Sequence, residues 1–292
     1  MANASKLVQH ARAIRTYIRK SKKAIYSLID LEQLLAHLKQ QNLAGFRSSV
    51  EDLLDTLEAH GFVFNTITIT SPSVTPITRY CLGKVDDLAL LQSLSPYGYF
   101  SHGTALHLQG LSQSLSADLY LTLEQYQQKE NKTKMLEQTH IDAAFEKPQR
   151  SSSVQYHWHG YTLHLLHKKT TRLAQGIEKT GMNKYTITNL ERTLLDATTR
   201  PAYVGGVEMV LEAYIKAKGK LDTEKLFRYY KQAKFIYPYH QAIGFYLTRA
   251  GYPEKQISPF TTLPRLYQFY LDYGMKEKKF DPSWQIHYPK NL

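Results

Sequence analysis

Cysteine is all but missing from this chain: Cys81 is the single one among 292 residues. A disulfide within the chain needs two thiols and a thiolate zinc site needs at least two, so both are excluded. A reducing cytoplasm is the expected surroundings. No run of 18 apolar residues occurs, and the opening MANASKLVQHARAIRTYIRK has no apolar stretch of signal-peptide length. A soluble protein with no membrane partner is therefore expected. Also missing are the common catalytic signatures: there is no G-x-S-x-G, no phosphate loop ending in Lys-Ser/Thr, no H-E-x-x-H and no G-x-G-x-x-G. The sequence accordingly reads as a non-enzyme that needs neither cofactor nor metal.

Positive charge and tyrosine are what the chain has in excess. Thirty-seven Lys and Arg against 25 Asp and Glu leave a formal charge of +12, which makes polyanions the first partners to consider. Tyrosine occurs 22 times, often beside basic residues, as in RYYKQAKFIYPYH (228–240). Such spacing suits base stacking, protein interfaces or a half-buried aromatic core.

Within residues 1–85, Leu7, Ala11, Ile14 and Ile18 line one face of a first helix, and Arg12, Arg15 and Arg19 fall on another. A second helix is predicted from about Leu31, capped by Asp30, and a third over about 47–60, closed by Gly61. FVFNTITIT, the turn SPSVTP and the return strand ITRYCLG follow. Three helices and a hairpin in that order are those of a winged helix-turn-helix. In that architecture Arg47, Ser48 and Ser49 at the start of the third helix are candidate base readers, and Arg79 is a candidate on the hairpin. Arg12, Arg15, Arg19, Lys20, Lys22 and Lys23 supply candidate phosphate contacts, because Glu51, Asp52, Asp55 and Glu58 make the third helix acidic. About four such contacts would give a slope of log affinity against log salt of roughly −3.6.

From about Val85 the pattern turns to a larger mixed α/β domain, residues 86–292, so the fold class is α+β. Residues 125–153 are Lys- and Gln-rich and read as a loop or ragged helix. VQYHWHGYTLHLLH (154–167) reads as a hairpin or bulged strand. Its His157, His159, His164 and His167 lack a standard ligand spacing, so no metal is expected there. Ser101 and His102 suggest a nucleophile and base, but neighbours on an extended segment point to opposite sides. In TITNLERTLLDATTRPAYVGGVEMV, Thr188 and Glu191 are spaced as a capping box. Arg192 and Asp196 are an i, i+4 ion pair contributing about 0.3 kcal/mol if exposed. Pro201 with Gly205 and Gly206 forms a corner before a further helix starting at Val207. This stretch reads as a structural joint.

Taken together, the winged helix, Ser101 to Leu111 (SHGTALHLQGL), Glu191 to Glu208 (ERTLLDATTRPAYVGGVE), QAIGFYLTRAGY and WQIHYP resemble the AbiEi family of antitoxins from abortive-infection, type IV toxin-antitoxin systems. The resemblance spans nearly the whole chain. It implies an N-terminal domain that binds operator DNA and represses its own operon, and a C-terminal domain that neutralises a separate nucleotidyltransferase toxin. The motif positions it marks are Ser101, His102, Glu191, Arg192, Asp196, Gly205 and Gly206. Two other readings stand beside it: a stand-alone winged-helix transcriptional regulator with a ligand-sensing C-terminal domain, and a nucleic-acid enzyme using the His-rich hairpin.

Overall fold

Ser5 accepts a hydrogen bond from the Val8 N–H and starts α1 (Lys6–Ser21). Leu7, Ala11, Ile14 and Ile18 are buried along it, as their spacing predicts. After β1 (Ile25–Tyr26), α2 (Leu28–Gln40) begins earlier than expected. Its cap is Ser27, and Asp30 is the third helical residue, accepting the Ser27 N–H at 2.8 Å while Ser27 Oγ accepts the Asp30 N–H at 3.1 Å. The same box, Ser49 with Asp52, starts α3 (Val50–Ala59). Both helices thus begin at S-x-x-D, where the short carboxylate satisfies the donor that a Glu would otherwise reach.

In this computed structural model the residues described are 5–127, 136–170, 174–180 and 184–292, and they group into two compact units. The first runs to Leu94 and includes Tyr156–His159, so α4 (Asp87–Gln92) and that short segment lie outside the expected 85/86 division. Its hairpin is β2 (Phe64–Ile69) and β3 (Ile77–Leu82), antiparallel from Phe64↔Leu82 to Ile69↔Ile77, and β1 pairs with the other edge of β3. Leu7, Ile14, Leu35, Leu53, Leu57 and Phe62 form the core beneath. This is the winged helix-turn-helix arrangement. The His157 N–H bonds Thr70 O at 2.8 Å, and the Trp158 indole donates to Asp87 at 2.7 Å.

The second unit, Ser95–Gln155 with Gly160–Leu292, is mixed α/β. Chain order brings β4 (Tyr99–Phe100), α5 (His102–Leu108), β5 (Asp118–Tyr126), α6 (Gln138–Phe145), β6 (Gln155–Trp158, divided between the units), β7 (Tyr161–Thr170), β8 (Ile177–Lys179) and β9 (Thr186–Thr188). Five of these strands lie in the order β7-β5-β4-β9-β8. The β5 and β7 strands are parallel from Asp118↔Thr162 to Tyr126↔Thr170. The centre of β5 is buried at four successive residues, Leu119 to Thr122, as befits a strand covered on both faces. The expected loop at 125–153 contains α6, with Ile141 and Phe145 buried; residues 128–135 lie outside those described.

Helices then dominate: α7 (Leu190–Thr199), a 3-10 turn (Pro201–Val204), α8 (Val207–Ala217), α9 (Thr223–Ala233), α10 (Tyr239–Arg249) and α11 (Glu254–Thr261). A small sheet closes the chain, β10 (Phe269–Tyr270), β11 (Lys278–Asp281) and β12 (Ile286–Pro289), in the order β10-β12-β11. Many tyrosines go into this core. Tyr214, Tyr239, Tyr246 and Tyr252 are buried in it, and Tyr229, Tyr230 and Tyr237 of the basic stretch lie against it. Tyr214 and Tyr246 stack at 5.3 Å. Gln241, fully buried, donates its amide to the carbonyls of Tyr267, Trp284 and Gln285 at 2.8–2.9 Å and so holds the small sheet to α10.

Replacing Gln241 by Leu removes that donor from the Tyr267 and Trp284 carbonyls inside the core and leaves the Gln285 carbonyl only the Phe269 N–H. Unfolding free energy from urea titration should fall by about 2 kcal/mol or more; an unchanged midpoint would show that the amide does not hold the sheet.

Candidate functional site

The joint at 186–208 is more buried than its charges suggest. Asn189, not Thr188, caps α7 by accepting the Arg192 N–H at 3.1 Å. Thr188 Oγ1 instead bonds Thr193 at 2.6 Å, and Glu191 reaches forward to the Asp222 N–H and, at 2.8 Å, to Lys225. The expected capping box is therefore replaced by a tie between α7 and the start of α9. The corner itself needs its two glycines, since Gly205 and Gly206 have φ of 96° and 105°, a region that side-chain-bearing residues avoid.

Arg192 and Asp196 are each only 4% exposed, so their pair is not the weak surface bridge expected. Arg192 Nε donates to Asp196 Oδ2 at 2.9 Å, Nη1 to the Gln175 carbonyl at 2.7 Å, and Nη2 to Tyr99 Oη at 3.0 Å and Glu124 Oε1 at 3.1 Å. Tyr99 in turn donates to Glu124 Oε1 at 3.0 Å, and the Ala174 N–H to Glu124 Oε2 at 2.7 Å. Lys168 of β7 holds the other Asp196 oxygen at 3.1 Å. Two carboxylates and two cations from three elements thus balance, with Arg192, Glu124 and Asp196 in the interior and Lys168, one-third exposed, at its edge. Burial alone would raise the Asp196 carboxyl, but Arg192, Lys168 and His102 outweigh it and hold it well below the usual carboxylate range. Burial lowers the Lys168 ammonium despite Asp196.

Ser101 and His102 form the contact that their adjacency argued against. Ser101 Oγ lies 2.8 Å from His102 Nδ1 and 2.7 Å from Thr122 Oγ1. The reason is backbone: His102 has φ of 50°, in the left-handed region, which turns its ring back toward Ser101. Ser101 is fully buried, so it supports the ring and presents no nucleophile to solvent. Burial first, then Lys168, Arg200 and Arg192, push the imidazole down to about 4 against the pull of Asp196. The ring also packs edge-on to Tyr203 at 5.2 Å. Gly103 permits that approach, because a Cβ there would stand 2.9 Å from the Tyr203 carbonyl oxygen.

These groups border a cavity of about 1080 Å³ in the second unit. Lys168, Arg192 and Asp196 line one part of it with Arg150, Lys169 and Arg200, and Tyr229, Tyr237, Tyr239 and Tyr273 another. Tyr99, Thr122, Glu124 and Lys168 were not singled out from sequence. Alternation along DLYLTLE does put Thr122 and Glu124 on one strand face, but their partners depend on long-range register.

The histidines of the hairpin disperse. His164 bonds Asp118 at 2.7 Å and stacks on Tyr120, His159 bonds Asp87 at 3.2 Å, and His167 meets Gln125 at 3.3 Å. Among the described residues no three His, Cys, Asp or Glu side chains gather as a metal site would require.

On the first unit the candidate DNA contacts separate into available and engaged groups. Arg12, Arg19, Lys20, Lys22 and Arg47 are exposed. Arg15 and Arg19 lie over the Phe62 ring, each 5.0 Å from its centroid, and Lys23 pairs with Asp30 at 2.6 Å. Arg79 is 8% exposed and donates to Ser93 Oγ, Ser93 O and Thr78 O, so it is a structural residue, not a surface cation. Arg47 and Ser48 precede α3, and Ser49 caps it instead of lying within it. Glu51, Asp52, Asp55 and Glu58 stand along α3, and all four are exposed.

No protein-family model matches this chain, and no curated protein matches it significantly. Among solved structures, that of the RV2827C protein from Mycobacterium tuberculosis is similar in fold. It shares 12% identity over 96% of this chain and 90% of that one, with a TM-score of 0.56. Among the described residues no helix is long and apolar enough to cross a membrane.

Arg192→Met leaves Glu124 and Asp196 buried without their shared cation, and stability measured by denaturant should fall by about 3–5 kcal/mol. A loss below about 1 kcal/mol would mean that the network is wet. A second outcome concerns pH. Because the folded His102 pKa lies below its unfolded value near 6.5, the unfolded chain takes up a proton that the native one refuses. Stability is intact above pH 6.5 and falls between 6.5 and 4, by of the order of 3 kcal/mol for this group. His240, also lowered to about 4, adds a like amount. His102→Asn, which tolerates the left-handed backbone, should roughly halve that decline in urea titrations at pH 7 and 5.

Proposed function

We propose that this chain is an antitoxin of the AbiEi type, acting in the cytoplasm, which neutralises a nucleotidyltransferase toxin through its second unit and represses its own operon through its first. The observation that carries this reading is the meeting of the two stretches behind the family resemblance, 101–111 and 191–208. His102 and Gly103 from one pack on Tyr203 of the other, and His102, Arg192 and Asp196 converge at one cavity wall with Ser101 behind the His102 ring. Residues that distant in sequence, brought together with buried charge, are what a shared task of the domain requires. No reaction belongs to the chain itself in this reading; the enzyme is its partner.

Repression rests on the winged-helix arrangement and on α1. With Arg79 engaged and α3 acidic, the cations left for phosphate are Arg12, Arg19, Lys20 and Lys22, with Arg47 ahead of α3. Contacts of this kind set affinity and its salt dependence more than sequence preference. The cavity favours a second reading, a regulator whose larger unit senses a small molecule, because about 1080 Å³ of partly polar space is more than packing defects leave.

Growth of cells expressing the adjacent open reading frame, alone and with this chain, tests the first reading. Growth should stop without the chain and resume with it. The triple variant Arg12→Ala, Lys20→Ala, Lys22→Ala should rescue equally while binding operator DNA more weakly, with a salt slope flatter by about 0.9 for each phosphate no longer neutralised. A harmless neighbour, or a toxic one never rescued, sinks the antitoxin reading, and unchanged DNA binding by the triple variant removes α1 from the interface.

A further inference from the structure

The charge on the cavity wall is strongly one-sided. Six basic side chains line it, Arg150, Lys168, Lys169, Arg192, Arg200 and Lys234, against one carboxylate, Asp196. That carboxylate is already held by Arg192 and Lys168. Among the described residues Arg150, Lys169 and Arg200 form no ion pair, so the wall keeps an uncompensated positive field in a concave, partly desolvated space, which concentrates anions. Arginine and lysine together are the usual recognition set for phosphate oxygens.

Two further features narrow the ligand. His102 is 7% exposed and spends Nδ1 on Ser101, so Nε2 is left at the cavity wall with no protein partner among the described residues. That ring nitrogen is therefore available on the wall to donate or accept a hydrogen bond, according to its tautomer. Part of the remaining wall is aromatic, with Tyr229, Phe235, Tyr237, Tyr239 and Tyr273 among its residues beside serines and glutamines. Aromatic faces of that kind stack planar rings and tolerate any base. The volume exceeds what a bare phosphate fills and lies at the upper end of small-molecule sites.

We propose that this cavity binds a nucleoside phosphate, its phosphates against Arg150, Lys169, Arg200 and Lys168 and its base on the tyrosine wall. The inference goes beyond the antitoxin reading and stands or falls separately from it. The test is calorimetric titration of the purified full chain with ATP, GTP, CTP and UTP, with adenosine and inorganic pyrophosphate as partial probes. At least one triphosphate should bind at least ten-fold more tightly than either adenosine or pyrophosphate. Binding should also weaken as salt rises. Lys169→Glu and Arg200→Gln lie outside the Arg192-Glu124-Asp196 network, and circular dichroism should show both folded. Each should weaken the triphosphate at least ten-fold, whereas Lys20→Gln on the first unit should leave it unchanged. Failure of all four triphosphates to bind overturns the proposal, as does normal binding by folded Lys169→Glu and Arg200→Gln together. Pyrophosphate binding as tightly as the best triphosphate would overturn the role of the base.

Discussion

One guanidinium organises the second unit. Arg192 spans from Asp196 on its own helix to Glu124 on β5, Tyr99 on β4 and the backbone at Gln175. The ion pairs it makes would be unfavourable to bury singly, because each charge gives up its hydration. They are tolerable as a set, since the two carboxylates share two cations and their oxygens are hydrogen-bonded. Geometry follows from this closure. With α7 locked to β4 and β5, the start of α5 is placed beside Thr122, His102 is turned inward, and Lys168 meets the second Asp196 oxygen. The cavity wall is in this sense a by-product of satisfying one buried arginine.

Much of the architecture was legible because it is periodic. The stripe Leu7, Ala11, Ile14, Ile18 and the run from Val207 to Ile215 mark helices by spacing alone, and alternation in 64–69 and 77–82 marks the wing. Helix starts were less legible for a physical reason. In both Ser27 and Ser49 boxes the Asp three residues on resembles a cap itself, and only the backbone decides which residue is outside the helix. Asn189 displaced Thr188 as a cap in the same way, since either side chain can accept the bond.

The site was legible only in half. Arg192 and Asp196 announce themselves as an i, i+4 pair, but nothing local says that the pair is buried. That depends on Tyr99 and Glu124, 93 and 68 residues earlier. A left-handed non-glycine such as His102 has no sequence mark either, because its strain is sustained by surroundings assembled from elsewhere. Arg79 errs in the opposite direction: a cation on a wing invites a phosphate contact, and burial against Ser93 withdraws it.

The parallel pairing of β5 with β7 has a consequence for the order of assembly. Parallel neighbours need a long crossover, and here that crossover carries α6. Its anchors lie near the end of the chain: Gln138 and the Gln268 backbone exchange hydrogen bonds, Tyr270 donates to Asp142, Tyr267 donates to the Leu136 carbonyl, and the Gly274 N–H closes on Phe145. Those partners are some 130 residues apart. A ribosome making this chain must therefore release residues through about Gly274 before the crossover can settle, so the second unit cannot complete itself until the segment at 267–274 has been made. Contacts of such long range slow folding, and the winged helix, whose core draws on residues 7–62, has its own core sequence in hand much earlier.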